Sequence, residues 1–133
     1  MLKKIAHIGV AVNNLQESLA FYNAVGIEPS HIEDVPLQKV KTAFLTVGDV
    51  HVELLEPTAP ESPIAGFLEK RGQGMHHIAY EVDDITSALA ILKNNGIKLI
   101  NETPVEGAHD MLVAFVHPKS VNGVLTELCQ HKQ

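Results

Sequence analysis

Apolar residues alternate with small or polar ones over AHIGVAV and again over HHIAYEV. Each stretch then runs into a segment whose apolar residues recur three and four apart. Successive side chains on a strand point to opposite sides. In the first stretch Ile8, Val10 and Val12 therefore share one face, and His7, Gly9 and Ala11 share the other. In the second, Ile78, Tyr80 and Val82 form the apolar face opposite His77, Ala79 and Glu81. The apolar faces call for helices to cover them, predicted over residues 15–25 and 85–95. Gly26 and Gly96 stand where C-terminal helix caps belong.

These two patterns are one pattern repeated. Shifted by 70 residues, KIAHIGVAVNNLQESLAFYNAVGI lies over GMHHIAYEVDDITSALAILKNNGI without a gap. His7 meets His77, Ile8 meets Ile78, Val12 meets Val82, and Leu19-Ala20 meets Leu89-Ala90; Gly26-Ile27 meets Gly96-Ile97. Two copies point to duplicated halves, because a solenoid needs three or more. The repeat also separates the adjacent histidines of the second strand: His77 matches His7, whereas His76 matches Ala6.

The remainder of each half matches more loosely. VKTAFLTVGDVHVELLEP reads as two strands joined at Gly48-Asp49, and MLVAFVHPKSVNGVLTEL as two strands joined through residues 118–123. Phe44 matches Phe115, and Glu53 matches Glu127, the longer second turn absorbing three extra residues. The fold class is accordingly α+β: two tandem βαβββ modules forming a cupped mixed sheet around one metal site. The modules are expected at about 1–57 and 74–133, within a single domain. A linker at about 58–73 carries prolines and a short helix.

That site follows from one His on the first strand and one Glu on the last strand of each half. His7, Glu53, His77 and Glu127 offer two imidazoles and two carboxylates, a set suited to Zn, Co, Ni, Mn or Fe. Mg and Ca favour all-oxygen shells. A glutamate facing inward on an apolar strand is costly unless it is paired or bound to a metal. His51 shares Glu53's face and is a candidate site-lining residue. His31, His117 and His131 lie near expected loops or the tail.

Composition removes several classes. With 45% apolar residues the chain is globular. No apolar run approaches the length of a membrane span, and the first strand lacks a signal-type cleavage site, so the expectation is a cytoplasmic protein without a membrane partner. Cys129 is the sole cysteine, which rules out an intrachain disulfide and a cysteine-based zinc site and leaves it as a small apolar filler. The net charge is −6 with a single arginine, so no basic face for nucleic acid is expected.

The paired His and Glu positions, with AHIGVAVNNLQESLAFY, VELLEPTAPESPIAGFL, GMHHIAYEVDDI, EGAHD and HPKSVNGVLTEL, resemble the vicinal-oxygen-chelate (glyoxalase/bleomycin-resistance/dioxygenase) superfamily. Within it they are most similar to the methylmalonyl-CoA epimerase family. The resemblance implies a metal-dependent isomerase that interconverts the (R) and (S) forms of methylmalonyl-CoA by removing and returning an α-proton. Glu127 matches the family's ligand glutamate and implied acid/base. In some members a second glutamate follows Q-G-V; here LQKVKTAF puts Thr42 there. The second acid/base stays open between Glu53, His109 of EGAHD and a metal-bound water. Lys119 of HPKS and Gln38 are the expected acyl-CoA contacts, with Lys39 and Lys41 as further cations, and a homodimer is expected from exposed strand edges.

Other readings share parts of the pattern. Glyoxalase I has the same His/Glu set, but E-L-L-E-P, S-P-I-A-G-F-L and H-P-K-S favour the epimerase. Extradiol dioxygenases use two His and one carboxylate, and binding proteins of the bleomycin-resistance kind generally lack the ligands.

Overall fold

The structure, a computed structural model, describes residues 1–132; Gln133, the end of the expected second module, lies outside them. It is an α+β chain of two repeats. The first repeat runs β1 (Leu2–Ala11), α1 (Leu15–Ser18), α2 (Ala20–Ala24), β2 (His31–Val35), β3 (Val40–Val47) and β4 (Val50–Pro57). After α3 (Pro63–Arg71) come β5 (Gly74–Val82), α4 (Ile85–Asn94), β6 (Val105–Glu106), β7 (Met111–Val116) and β8 (Thr126–His131). No helix among the described residues is long and apolar enough to cross a membrane. Two compact units can be distinguished: His7–His76, and Met1–Ala6 together with the chain from His77 onward.

Each unit is ordered in the same way. In the first the strands lie β2-β3-β4-β1, with β4 parallel to β1 and the other neighbours antiparallel. In the second the order is β6-β7-β8-β5, with β8 parallel to β5. The sheets are therefore mixed, as the βαβββ reading expects. The strand needed between helix and hairpin, which the pattern of the chain did not assign to residues, is β2 in one unit and the two-residue β6 in the other.

The apolar faces pack as their alternation requires. Val12, Leu15, Leu19, Ala43, Leu45 and Leu54 are buried together, joined by Val10, Tyr22 and Val52. Val82, Ile85, Ala88, Leu89, Ala114 and Leu128 form the matching cluster, joined by Tyr80 and Leu92. Burying such side chains contributes roughly 1.5–3 kcal/mol each, which is what holds these short helices in place. Cys129 is fully buried with Ala6, Ala79 and Val113, the filler position expected of it.

The helix ends repeat atom for atom. Asn14 Oδ1 accepts the Glu17 amide and Asp84 Oδ1 the Ser87 amide, so α1 and α4 each have a side-chain N-cap. At the other end Ile27 N donates to Tyr22 O and Gly26 N to Asn23 O; Ile97 N donates to Leu92 O and Gly96 N to Lys93 O. These are Schellman motifs, with the glycines at φ +86° and +75°.

One element differs from its sequence-based expectation. The helix predicted over residues 15–25 is two pieces, α1 and α2, separated at Leu19. The Ser18 hydroxyl bonds to Asn14 O at 2.6 Å, competing for a carbonyl that the Ser18 amide also uses. The next amide, Leu19 N, is divided between Leu15 O and Gln16 O. A hydroxyl bonding back to the i−4 carbonyl bends a helix in this way. In α4 the equivalent of Ser18 is Ala88, and that helix is continuous.

Candidate metal centre

Strand register places each glutamate. In the first unit Glu53 lies beside Gly9 of β1 and Phe44 of β3. In the second Glu127 lies beside Ala79 of β5 and Phe115 of β7. Beside each carboxylate stands a residue with little or no side chain, so the imidazole two residues earlier on that strand can reach across. His7 Nδ1 lies 2.9 Å from Glu53 Oε2, and His77 Nε2 lies 3.0 Å from Glu127 Oε1. His7 engages its glutamate through Nδ1 and His77 through Nε2.

Both pairs are withdrawn from water. Side-chain exposure is 11% for His7 and for Glu53, and 5% and 7% for His77 and Glu127. The His77 ring is held edge-on against Phe115, centroids 5.6 Å apart. Four buried ionisable groups on apolar strands are costly unless each charge is compensated. The donor chemistry fits a divalent transition metal, which imidazole and carboxylate ligands bind together. At 2.9 and 3.0 Å each imidazole and carboxylate are within hydrogen-bonding distance of one another.

His76 has another role. Its ring meets that of Phe67 on α3 at 5.0 Å and 80°. The S-P-I-A-G-F-L stretch is α3 itself: Ser62 accepts the Ile64 amide as N-cap, and Pro63 occupies the first helical position. H-P-K-S is a single 3-10 turn, Pro118–Ser120, in which His117 Nδ1 accepts the Lys119 amide at 3.1 Å.

The other candidates are distributed around these units. His51 is in register with His7, and its Nδ1 lies 3.3 Å from the Thr46 hydroxyl. Gln38 is half-buried in the turn between β2 and β3, where its amide donates to Val35 O. Lys39 Nζ lies 3.3 Å from Glu61. Lys41 alternates with Thr42 on β3 and lies on the helix-covered face, in register with Asp34 and Glu56. Lys119 is exposed. His109 is exposed at the tip of the β6–β7 hairpin, where it and Asp110 hold φ +57° and +59° as the central pair of a tight turn. Thr42 is fully buried on the same face as Glu53.

Two placements escaped the sequence pattern. Glu56 Oε1 accepts the Leu15 amide at 2.6 Å, and Gln130 Oε1 accepts the Ile85 amide at 2.7 Å. Each lies three residues beyond the glutamate of its pair, so one strand presents a donor on one face and a helix cap on the other. The second is the polar pair on β2: His31 Nε2 lies 3.0 Å from Glu33 Oε1, and the His31 ring stacks on Phe44 at 5.5 Å. Ending HIEDV at the Pro36 turn and folding it back on VKTAF was the available signal for that strand.

Comparison with known proteins decides the family. Residues 6–115 match the glyoxalase/bleomycin resistance protein/dioxygenase superfamily. The chain belongs to that superfamily. It is 42% identical over 133 residues to the ethylmalonyl-CoA/methylmalonyl-CoA epimerase of Cereibacter sphaeroides, covering 98% of this chain and 99% of that one. It is 42% identical over 131 residues to the human mitochondrial methylmalonyl-CoA epimerase, covering 97% of this chain and 74% of that protein. Among solved structures, a substituted Streptomyces coelicolor methylmalonyl-CoA epimerase in complex with 2-nitronate-propionyl-CoA superposes with a TM-score of 0.95 at 35% identity, covering 98% and 96% of the two chains. These relatives are isomerases, and the resemblance drawn from the chain's motifs led to the same family.

Proposed function

We propose that the protein is a metal-dependent epimerase interconverting the (R) and (S) forms of methylmalonyl-CoA, with one divalent transition metal held by His7, Glu53, His77 and Glu127. The observation that carries this reading is the equivalence of the two buried His–Glu pairs. Each has the same strand positions, a small residue beside the glutamate and a phenylalanine across from it. The relatives named as epimerases of such substrates support the choice of substrate.

The reaction removes a proton from a carbon flanked by a thioester and a carboxylate, and returns one to the opposite face. When bound, the cation supplies Lewis-acid stabilisation of the enolate charge. The chain's own residues do the rest. Neutral imidazoles and ionised carboxylates are needed to hold the ion, and the short pairs keep these donors oriented before it arrives. Glu127 takes the α-proton at a carboxylate oxygen as one acid/base. Phe115 and Phe44 beside the glutamates limit the approach of water, which strengthens charge interactions at the reacting carbon. Lys119 and Gln38 would contact the acyl-CoA. A cytoplasmic homodimer forming one metal-centred domain per chain completes the proposal, its assembly testable by sedimentation.

The direct test is to incubate a single epimer of methylmalonyl-CoA with cobalt-reconstituted protein and to follow its optical rotation. Metal-dependent decay to an equilibrium mixture of the two epimers is expected. Retention of configuration, together with turnover of the hemithioacetal of methylglyoxal and glutathione, would move the assignment to glyoxalase chemistry.

A further inference from the structure

Asparagine followed by glycine occurs twice in the chain, at Asn95-Gly96 and at Asn122-Gly123, and both pairs are exposed. Such a pair is chemically fragile. Glycine has no Cβ to obstruct its main-chain nitrogen, which can attack the side-chain carbonyl of the asparagine before it. We propose that Asn122 is a deamidation site of the folded protein, converting to aspartate and isoaspartate, and that Asn95 is kept unreactive by its helix end.

Both sites belong to the second unit, and they differ in what holds them. Asn95 closes α4 with φ −96°. Its side-chain Nδ2 donates to Ile91 O at 2.7 Å, which commits the nitrogen that would have to leave. The attacking nitrogen is committed as well: Gly96 N donates to Lys93 O at 3.1 Å, within the cap that Ile97 N completes on Leu92 O. Leu92 and Ile97 pack on the buried cluster beneath α4, so releasing this cap means fraying a packed helix end.

Asn122 is held more loosely. Val124 N donates to Val121 O at 3.0 Å, with Asn122 at φ +57° and Gly123 at +87°. Residues 121–124 are therefore a tight turn of type I′. Gly123 N donates to Pro118 O at 2.8 Å. Among the described residues nothing holds the Asn122 side-chain amide. One bond rather than two restrains the reacting groups, and it lies where Gly123 and Val124 are exposed too. Exposed turns with few buried contacts open at far lower cost than packed elements.

The step balances with water as its only co-reactant. The Gly123 nitrogen loses its proton and bonds to Asn122 Cγ. The Cγ–Nδ2 bond breaks, and ammonia leaves with that proton. Water then opens the five-membered imide at one of its two carbonyls. Opening at Cγ gives aspartate, and opening at the main-chain carbonyl gives isoaspartate. Either product adds a negative charge to a chain of net charge −6, three residues from Lys119. The isoaspartyl form also lengthens the main chain by one carbon just ahead of β8, whose second residue is Glu127. Thr126 Oγ1 donates to Val124 O at 2.9 Å and Ile78 N to Leu125 O at 3.2 Å, so the change reaches the place where β8 begins.

The test is peptide mapping by mass spectrometry of the full chain aged in mildly alkaline buffer, with an isoaspartyl-specific methyltransferase to label one product. In the folded protein Asn122 should convert at least about fivefold faster than Asn95, the factor set by one fewer hydrogen bond to break. In denaturant the two sites should convert at similar rates, since each precedes glycine. Asn122→Gly keeps a residue tolerant of positive φ in the turn; it should fold and no longer accumulate the acidic form of the protein. Conversion of Asn95 as fast as Asn122 in the folded chain would overturn the proposal. So would the same fivefold ratio in denaturant, which would trace the difference to sequence rather than structure. An Asn122 that stays intact when folded while both sites convert in denaturant would also overturn it, as would undiminished acidic product from Asn122→Gly.

Discussion

His77 Nε2 lies 3.0 Å from Glu127 Oε1, and neither side chain exposes more than 7% of its surface. Such a pair is a ready donor set only while the imidazole is neutral and the carboxylate ionised. In its proposed roles Glu127 is both an anionic ligand and a proton acceptor, and Glu127→Gln removes the two together. Its kcat for epimerisation should fall at least 100-fold, measured by polarimetry at saturating metal. Chelator treatment of the wild type should abolish activity, and added Co²⁺ should restore it.

Adjacent histidines should behave in opposite ways. His76→Ala removes an edge-to-face contact with Phe67, so it should lower stability by about 0.5–1.5 kcal/mol and leave metal content unchanged. His77→Ala should remove the metal. Denaturant unfolding and metal analysis of the two variants check this together.

The helix caps should be similar in effect in the two units. Gln130→Ala leaves the Ile85 amide without its 2.7 Å acceptor, and Glu56→Ala does the same to Leu15. Each should cost about 1–2 kcal/mol, read from urea unfolding midpoints at constant slope. Glu56→Gln, which keeps an acceptor oxygen, should cost less than Glu56→Ala.

Acidification should act on α4 through Asp84. The Ser87 amide, and then its hydroxyl, hold this carboxyl below its ordinary value. A depressed folded-state pKa contributes stability that is present above the unfolded value, near 4. That stability is lost as pH falls through the folded value. Asp84→Asn retains a capping oxygen without the charge. Its melting temperature should therefore fall less than that of wild type between pH 5 and pH 2, roughly the span over which the carboxyl titrates.

Repetition made much of this fold legible in the chain. The 70-residue shift that aligned His7 with His77 also paired the helices, their glycine caps and the two hairpins. Alternation then assigned Val10 and Val82 to the helix-covered faces, where they pack. What could not be read was set by contacts distant in sequence. The bond from Glu56 to Leu15 spans 41 residues and that from Gln130 to Ile85 spans 45. The HIEDV strand has little apolar surface to bury and is ordered by its pairing with β3. The break at Leu19 depends on a serine hydroxyl finding Asn14 O, while Leu19 itself matches Leu89 of an unbroken helix.

Metal stoichiometry by elemental analysis after Co²⁺ reconstitution distinguishes one shared ion, the arrangement proposed for the two His–Glu pairs, from two separate sites. One ion per chain is expected in the wild type. His7→Ala and His77→Ala should each lose that ion altogether or bind it with affinity lowered at least tenfold. Two ions per chain in the wild type, with either variant retaining one tightly, would show that the pairs act separately and that they share no ion.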